Sequence, residues 1–129
     1  MKNNKLHHWE LELFEKINSL LSKQESDIFT YQIEIYNHIY RDQEGREILL
    51  YSRTMFRTLK VKSFKKIFPM KEETKILSKF SIILHNGEVI RGNLHIVGGR
   101  VFSLNFSNIF NFDNLSNYII KIDKVNKIL

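Results

Sequence analysis

Residues Phe80 to Ser107 read FSIILHNGEVIRGNLHIVGGRVFSLNFS, and the way this stretch folds back on itself decides the architecture. Asn86-Gly87 and Gly98-Gly99 separate three runs rich in β-branched and aromatic residues, the pattern of an antiparallel β-meander. Asn86-Gly87 is a two-residue hairpin signal, which pairs His85 with Glu88, Leu84 with Val89 and Ile82 with Arg91. In that register Phe80, Ile82, Leu84 and Val89 share a face, and strict alternation sends Leu94 and Ile96 to the opposite one. A bulge at Gly92 restores them, since glycine inside a strand is where bulges are expected. A three-residue turn, Gly98-Gly99-Arg100, then pairs Ile96 with Phe102 and Leu94 with Leu104. One bulge and one odd-length turn bend the middle strand and predict a strongly curled sheet.

Outward from the meander, Leu6 to Ser22 has a helical repeat. Leu6, Trp9, Leu13, Ile17, Leu20 and Leu21 recur at three- and four-residue steps, with Phe14 beside them. Such a stripe has to lie on the sheet that follows. Ile28 to Tyr40 alternates, with Tyr31, Ile33, Ile35 and Ile39 on one side and Gln32, Glu34, Tyr36, His38 and Tyr40 on the other; it is expected as a half-buried strand. Arg41 to Gly45 is expected as a turn, with Glu47 to about Val61 returning as a second long strand. Ser63 to Met70 reads as either a helical turn or coil, ended by Pro69, and Lys71 to Lys75 as polar connection. Asn108 to Asn117 reads as loop and Tyr118 to Ile122 as a short last strand. The predicted fold is α+β: an N-terminal amphipathic helix on a strongly bent antiparallel sheet, or partial barrel, of five to six strands. It forms one domain over residues 1–129.

Leu84-His85-Asn86-Gly87 followed by Arg91-Gly92-Asn93-Leu94 resembles the first motif of Sm-like RNA-binding folds: a hairpin glycine, a bent-strand glycine, then an apolar residue. The resemblance spans about a dozen positions and implies curled-sheet geometry. The acidic residue and asparagine that touch the nucleotide in that family are replaced by Val97-Gly98-Gly99-Arg100, and no family is assigned.

Composition excludes several classes. Without cysteine there is no disulfide framework, thiol nucleophile or cysteine zinc site. No apolar run approaches the roughly 20 residues that cross a bilayer. Acidic residues in MKNNKLHHWELELFEK stand where a signal peptide needs an apolar core, so the expected location is the cytoplasm, and the Asn105 and Asn114 glycan sequons carry no meaning there. His7, His8, His38, His85 and His95 show no metal-ligand spacing. The serines form no nucleophile elbow, no carboxylate pair is brought together by spacing, and Gly98-Gly99 lacks the lysine of a phosphate-binding loop. The chain is expected not to be an enzyme and to need no cofactor.

The formal net charge of +6 is concentrated. Arg53, Arg57, Lys60, Lys62, Lys65, Lys66 and Lys71 lie in one segment without an acidic residue, and the rest of the chain holds 13 basic and 14 acidic residues. Phe56, Phe64 and Phe68 are interleaved with these cations. Tyr36, Tyr40 and Tyr51 form a second aromatic group next to Arg53 and Arg57, suited to a protein-binding hot spot. The leading expectation is a non-catalytic module recognising an acidic protein surface, of accessory or inhibitor type as in immunity proteins or antitoxins. The alternative is nucleic acid, with the basic side chains on phosphates and Phe56 or Phe64 stacking on bases. A third is a small-molecule-binding barrel with its pocket around His95.

Overall fold

A computed structural model of the chain describes residues 3, 5–53, 64–109, 111–112 and 115–129. Among the described residues two helices, α1 (His8–Asn18) and α2 (Lys23–Ile35), precede six strands: β1 (His38–Arg41), β2 (Glu47–Tyr51), β3 (Thr74–Leu84), β4 (Val89–Val97), β5 (Arg100–Phe106) and β6 (Tyr118–Val125). All pairings are antiparallel, and the strands lie in the order β1-β2-β5-β4-β3-β6 in an open sheet. The meander β3-β4-β5 is its centre. The β1–β2 hairpin extends it on one side, and β6 crosses back to pair with β3 on the other. The α+β fold with an N-terminal helix and a six-stranded antiparallel sheet is as the sequence predicts.

The α1 stripe is as expected, with Trp9, Leu13, Phe14 and Ile17 buried, but the helix stops at Asn18 and leaves Leu20 58% exposed. The expected strand over Ile28 to Tyr40 is corrected: most of it is α2. The Ser22 hydroxyl accepts the Glu25 N–H at 3.2 Å and Glu25 accepts the Ser22 N–H at 3.2 Å, a reciprocal cap that starts a helix at Lys23. Helical geometry then puts Phe29, Gln32 and Ile33 on one buried face. Phe14 meets Phe29 edge-on at 5.9 Å, so α1 packs on α2 as well as on the sheet. The second strand ends at Tyr51; the rest of its expected span, residues 54–61, lies outside the described residues.

The register of the meander also differs from expectation. Leu84 N–H donates to the Glu88 carbonyl at 2.9 Å, closing a three-residue turn of His85, Asn86 and Gly87, with Gly87 at φ +88°. Ile82 therefore faces Ile90, and Phe80 faces Gly92. One residue of turn length reverses the parity of β4, so Ile90, Leu94 and Ile96 are buried together by simple alternation. No bulge at Gly92 is needed, and pairing runs through it without a break. The Gly98-Gly99 turn has two residues, both at positive φ, not three. The parity it sets is corrected by Phe102, an extra residue in β5, so that Leu94 still faces Leu104. Leu77 in β3 and Asp123 in β6 are further extra residues.

The core lies between the helices and one sheet face. Arg41 of β1 points to this side and grips the fully buried Glu10 of α1 bidentately, Nε to Oε2 at 2.9 Å and the terminal nitrogen to Oε1 at 2.5 Å. Glu10 also accepts the His7 N–H at 2.7 Å, so the same carboxylate caps α1 and holds the edge strand to it. No described helix is long and apolar enough to cross a membrane.

Candidate binding face of the sheet

Both helices cover the same side, and alternation turns a second set of side chains away from them. Ile48 and Leu50 are buried, so Glu47, Leu49 and Tyr51 of β2 point outward. Tyr40 faces Leu49 and His38 faces Tyr51 across the β1–β2 ladder. Beside them, Tyr51 meets Phe102 edge-on at 5.8 Å, and the Arg100 guanidinium lies 4.5 Å from the Phe102 ring centre. His38, Tyr40, Leu49, Tyr51 and Arg53 line a shallow cavity of about 460 Å³. This end of the face is aromatic with a cationic edge.

The other end is polar. Lys79, Asn93 and Asn105 form one row across β3, β4 and β5, and Glu47 continues it onto β2. Asn105 Nδ2 donates to His95 Nδ1 at 2.8 Å and to Ser103 Oγ at 3.1 Å. An amide nitrogen can only donate, so His95 accepts at Nδ1 and carries its proton on Nε2. Burial lowers the His95 pKa, the Glu47 carboxylate opposes this, and the net direction is downward. A groove of about 530 Å³ lies next to this row, lined by Lys79, Arg91, Asn93, Asn105, Ser107 and Asp123 together with Phe80, Gly92 and Phe106. Among the described residues no three of His, Asp and Glu come together to hold a metal ion.

Of the residues singled out from the sequence, Tyr40, Tyr51 and Arg53 are brought to one cavity. Tyr36 is not with them. It is the C-cap of α2, 2% exposed, and its hydroxyl donates to the Val101 carbonyl. Burial pushes its pKa far up, against the nearby Arg100 charge. The expectation that Tyr36 and Tyr40 share an open face fails because a helix, not a strand, carries the first. Phe64 is buried against Tyr31 and Tyr36, and Phe68 is buried beside Gly99, so neither ring is available to stack on a base. Arg53, Lys65, Lys66 and Lys71 are exposed and, among the described residues, paired with no carboxylate. Phe56, Arg57, Lys60 and Lys62 lie outside the described residues.

Sequence reasoning missed His38, Leu49, Phe102 and Arg100 at the aromatic end and Lys79 and Arg91 at the polar end. The alternation of Glu47, Leu49 and Tyr51 is the available signal for Leu49, whereas His38, Arg100 and Phe102 reach this end only through strand pairing. The polar end becomes visible only once the strand register is known. Compared with protein-family models, curated proteins and solved structures, the chain matches none. The functional reading therefore rests on the chemistry of this face.

Proposed function

We propose that the protein is a non-catalytic binding module that takes an acidic protein partner on the aromatic, cation-edged end of its helix-free sheet face. The observation that carries this reading is the cavity of His38, Tyr40, Leu49, Tyr51 and Arg53, with Arg100 and Phe102 adjoining it. Tyr and Arg around an apolar contact are the residue types that dominate binding energy at protein interfaces, since they bury area at low entropy cost and keep a polar handle. Exposed, unpaired cations at Arg53, Lys65, Lys66 and Lys71, on a chain of net charge +6, would attract an acidic surface over several ångströms before contact. An accessory or inhibitory role fits such a module.

Single-stranded nucleic acid is the weaker reading. Among the described residues Tyr40, at 48% exposure, is the only exposed Phe, Tyr or Trp. Stacking on successive bases needs several free ring faces, and Phe102 already holds a guanidinium over its own.

The test is affinity capture from the source cells with wild-type, Tyr40→Ala and Arg53→Glu proteins as bait. The expected result is one acidic protein retained by the wild type and weakened about tenfold by Tyr40→Ala. Arg53→Glu should slow its association and reduce the salt dependence. Equal retention by all three baits would refute the reading. So would salt-sensitive binding of single-stranded RNA or DNA that survives both substitutions with no protein retained.

A further inference from the structure

The polar end of the same face holds a charge arrangement that the fold does not neutralise. Lys79 and Lys124 are direct cross-strand partners between β3 and β6. Like charges so placed repel. Lys79 also faces Asn93, two residues from Arg91 on β4, which makes Arg91 its diagonal neighbour. Among the described residues no carboxylate forms an ion pair with Lys79, Arg91 or Lys124. Asp123 lines the same groove but is engaged elsewhere, accepting the Ser81 hydroxyl at 2.6 Å and lying 3.9 Å from Lys121 Nζ.

We propose that the groove between Lys79 and Arg91 is a binding site for a phosphate monoester, independent of what occupies the aromatic end. The two strand positions are diagonal neighbours about 7–8 Å apart at the backbone, close enough for the long Lys79 and Arg91 side chains to converge on one tetrahedral dianion, each on its own oxygen. The Asn93 amide has no hydrogen-bond partner among the described residues and stands on the Lys79 wall, ready to donate to a further oxygen. The Ser107 hydroxyl accepts the Arg91 backbone N–H at 3.3 Å, which leaves its own proton for the ligand from the other wall. A carboxylate has one charge and two oxygens and would leave part of this donor set idle. The groove, at about 530 Å³, has room for a nucleotide or sugar beyond the phosphate itself.

The test is a titration of the isotope-labelled full chain, followed by backbone and side-chain amide resonances, with inorganic phosphate, adenosine monophosphate and, at equal ionic strength, acetate. Saturable shifts confined to Gly92, Asn93, Asn105 and Ser107 are expected with both phosphates and not with acetate. Tighter binding of the nucleotide would show that the rest of the groove is used; equal affinity would show that the phosphoryl group alone is read. Lys79→Ala and Arg91→Ala should each weaken phosphate about tenfold, while Lys23→Ala, on the exposed start of α2, should not. Lys79→Ala also relieves the repulsion with Lys124, so it should lose phosphate without any fall in thermal midpoint. The proposal is overturned if acetate matches phosphate, if shifts spread over lysines generally without saturating, or if the Lys79 and Arg91 variants bind as the wild type does.

Discussion

Gly87 and Gly92 are needed for opposite reasons. At Gly87 an added Cβ would meet nothing within 4 Å, and the requirement is backbone alone, because φ is +88°. At Gly92 the backbone is ordinary strand, but a Cβ would stand 2.5 Å from Phe80 Cζ and 3.1 Å from Phe106 Cδ1. Those two rings pack edge-to-face at 5.9 Å in the space a side chain would take. Gly92→Ala should therefore destabilise the fold by about 1–3 kcal/mol through overpacking. Gly87→Ala should cost about 1 kcal/mol or somewhat more, from the left-handed backbone only. Urea denaturation of the two single variants and of each combined with Phe80→Leu separates these causes. The smaller side chain should rescue Gly92→Ala and leave the cost of Gly87→Ala unchanged, and an equal response of both would contradict the packing account. Glycine mid-strand at position 92 is plain in the sequence and by itself suggests a bulge. Its real neighbour could not be read, because whether Phe80 or another residue lies opposite depends on one residue of turn length at Asn86-Gly87.

Among the elements, α2 shows how two valid patterns compete. Residues 31–39 alternate well enough for a strand, yet Ser22-Lys23-Gln24-Glu25 spells a capping box immediately upstream. The cap and the three- to four-residue spacing of Phe29, Gln32, Ile33 and Tyr36 prevail over the alternation, and with them Gln32 and Tyr36 move from the expected polar side into the core. Gln32, assigned by alternation to a polar face, becomes the buried tie between three elements. Its amide nitrogen donates to the Lys66 carbonyl at 3.0 Å and the Gly99 carbonyl at 3.1 Å, and its oxygen accepts the Val101 N–H at 2.8 Å. Phe68 N–H reaches the same Gly99 carbonyl at 2.7 Å, so segment 64–68, the Gly98-Gly99 turn and α2 are held at one point. Gln32→Leu keeps the volume but strips the Lys66 carbonyl and the Val101 N–H of this partner, at about 1–3 kcal/mol for each left unsatisfied, while the Gly99 carbonyl keeps the Phe68 N–H. The expected result is a loss of about 3 kcal/mol or more in chemical denaturation, with amide exchange accelerated first at Val101. A loss under 1 kcal/mol would mean that Gln32 is not the tie. The meander, by contrast, was legible because its turn glycines and β-branched runs agree with each other and with the burial they produce.

For the molecule as a whole, the binding face and the ties that position it are products of contacts between distant segments. Of the candidate site, Tyr40, Tyr51 and Arg53 could be named from type and local spacing, whereas Lys79, Arg91 and Lys124 meet only through the β3–β4 and β3–β6 ladders, which composition does not reveal. The chain from Phe112 onward is fastened back to the helices in the same long-range manner. Trp9 Nε1 donates to the Phe112 carbonyl at 2.9 Å, and the Tyr118 hydroxyl donates to Glu12 at 3.3 Å. The most consequential fastening is Glu25, buried in the first turn of α2, whose Oε2 accepts the Ile128 N–H at 2.8 Å and the Leu129 N–H at 3.4 Å. Burial pushes its carboxyl pKa up, but the N–H groups of Ile128, Ser22 and Leu129 and the Ser22 side chain favour the charged form, and the net direction is below the ordinary 4.5. A carboxyl that ionises more readily folded than unfolded contributes stability that is complete above the unfolded value. That stability is lost as pH falls through the lower folded value. Glu25→Gln keeps the shape and removes the charge, so at neutral pH it should cost about 1–2 kcal/mol. Urea midpoints followed from pH 7 down through the acid range should then show the wild type losing its advantage below pH 4.5, until the two proteins converge. Equal midpoints for the two proteins at neutral pH would mean the carboxylate contributes through shape and not through charge, and the tail would have to be held by Ile128 packing against the core instead.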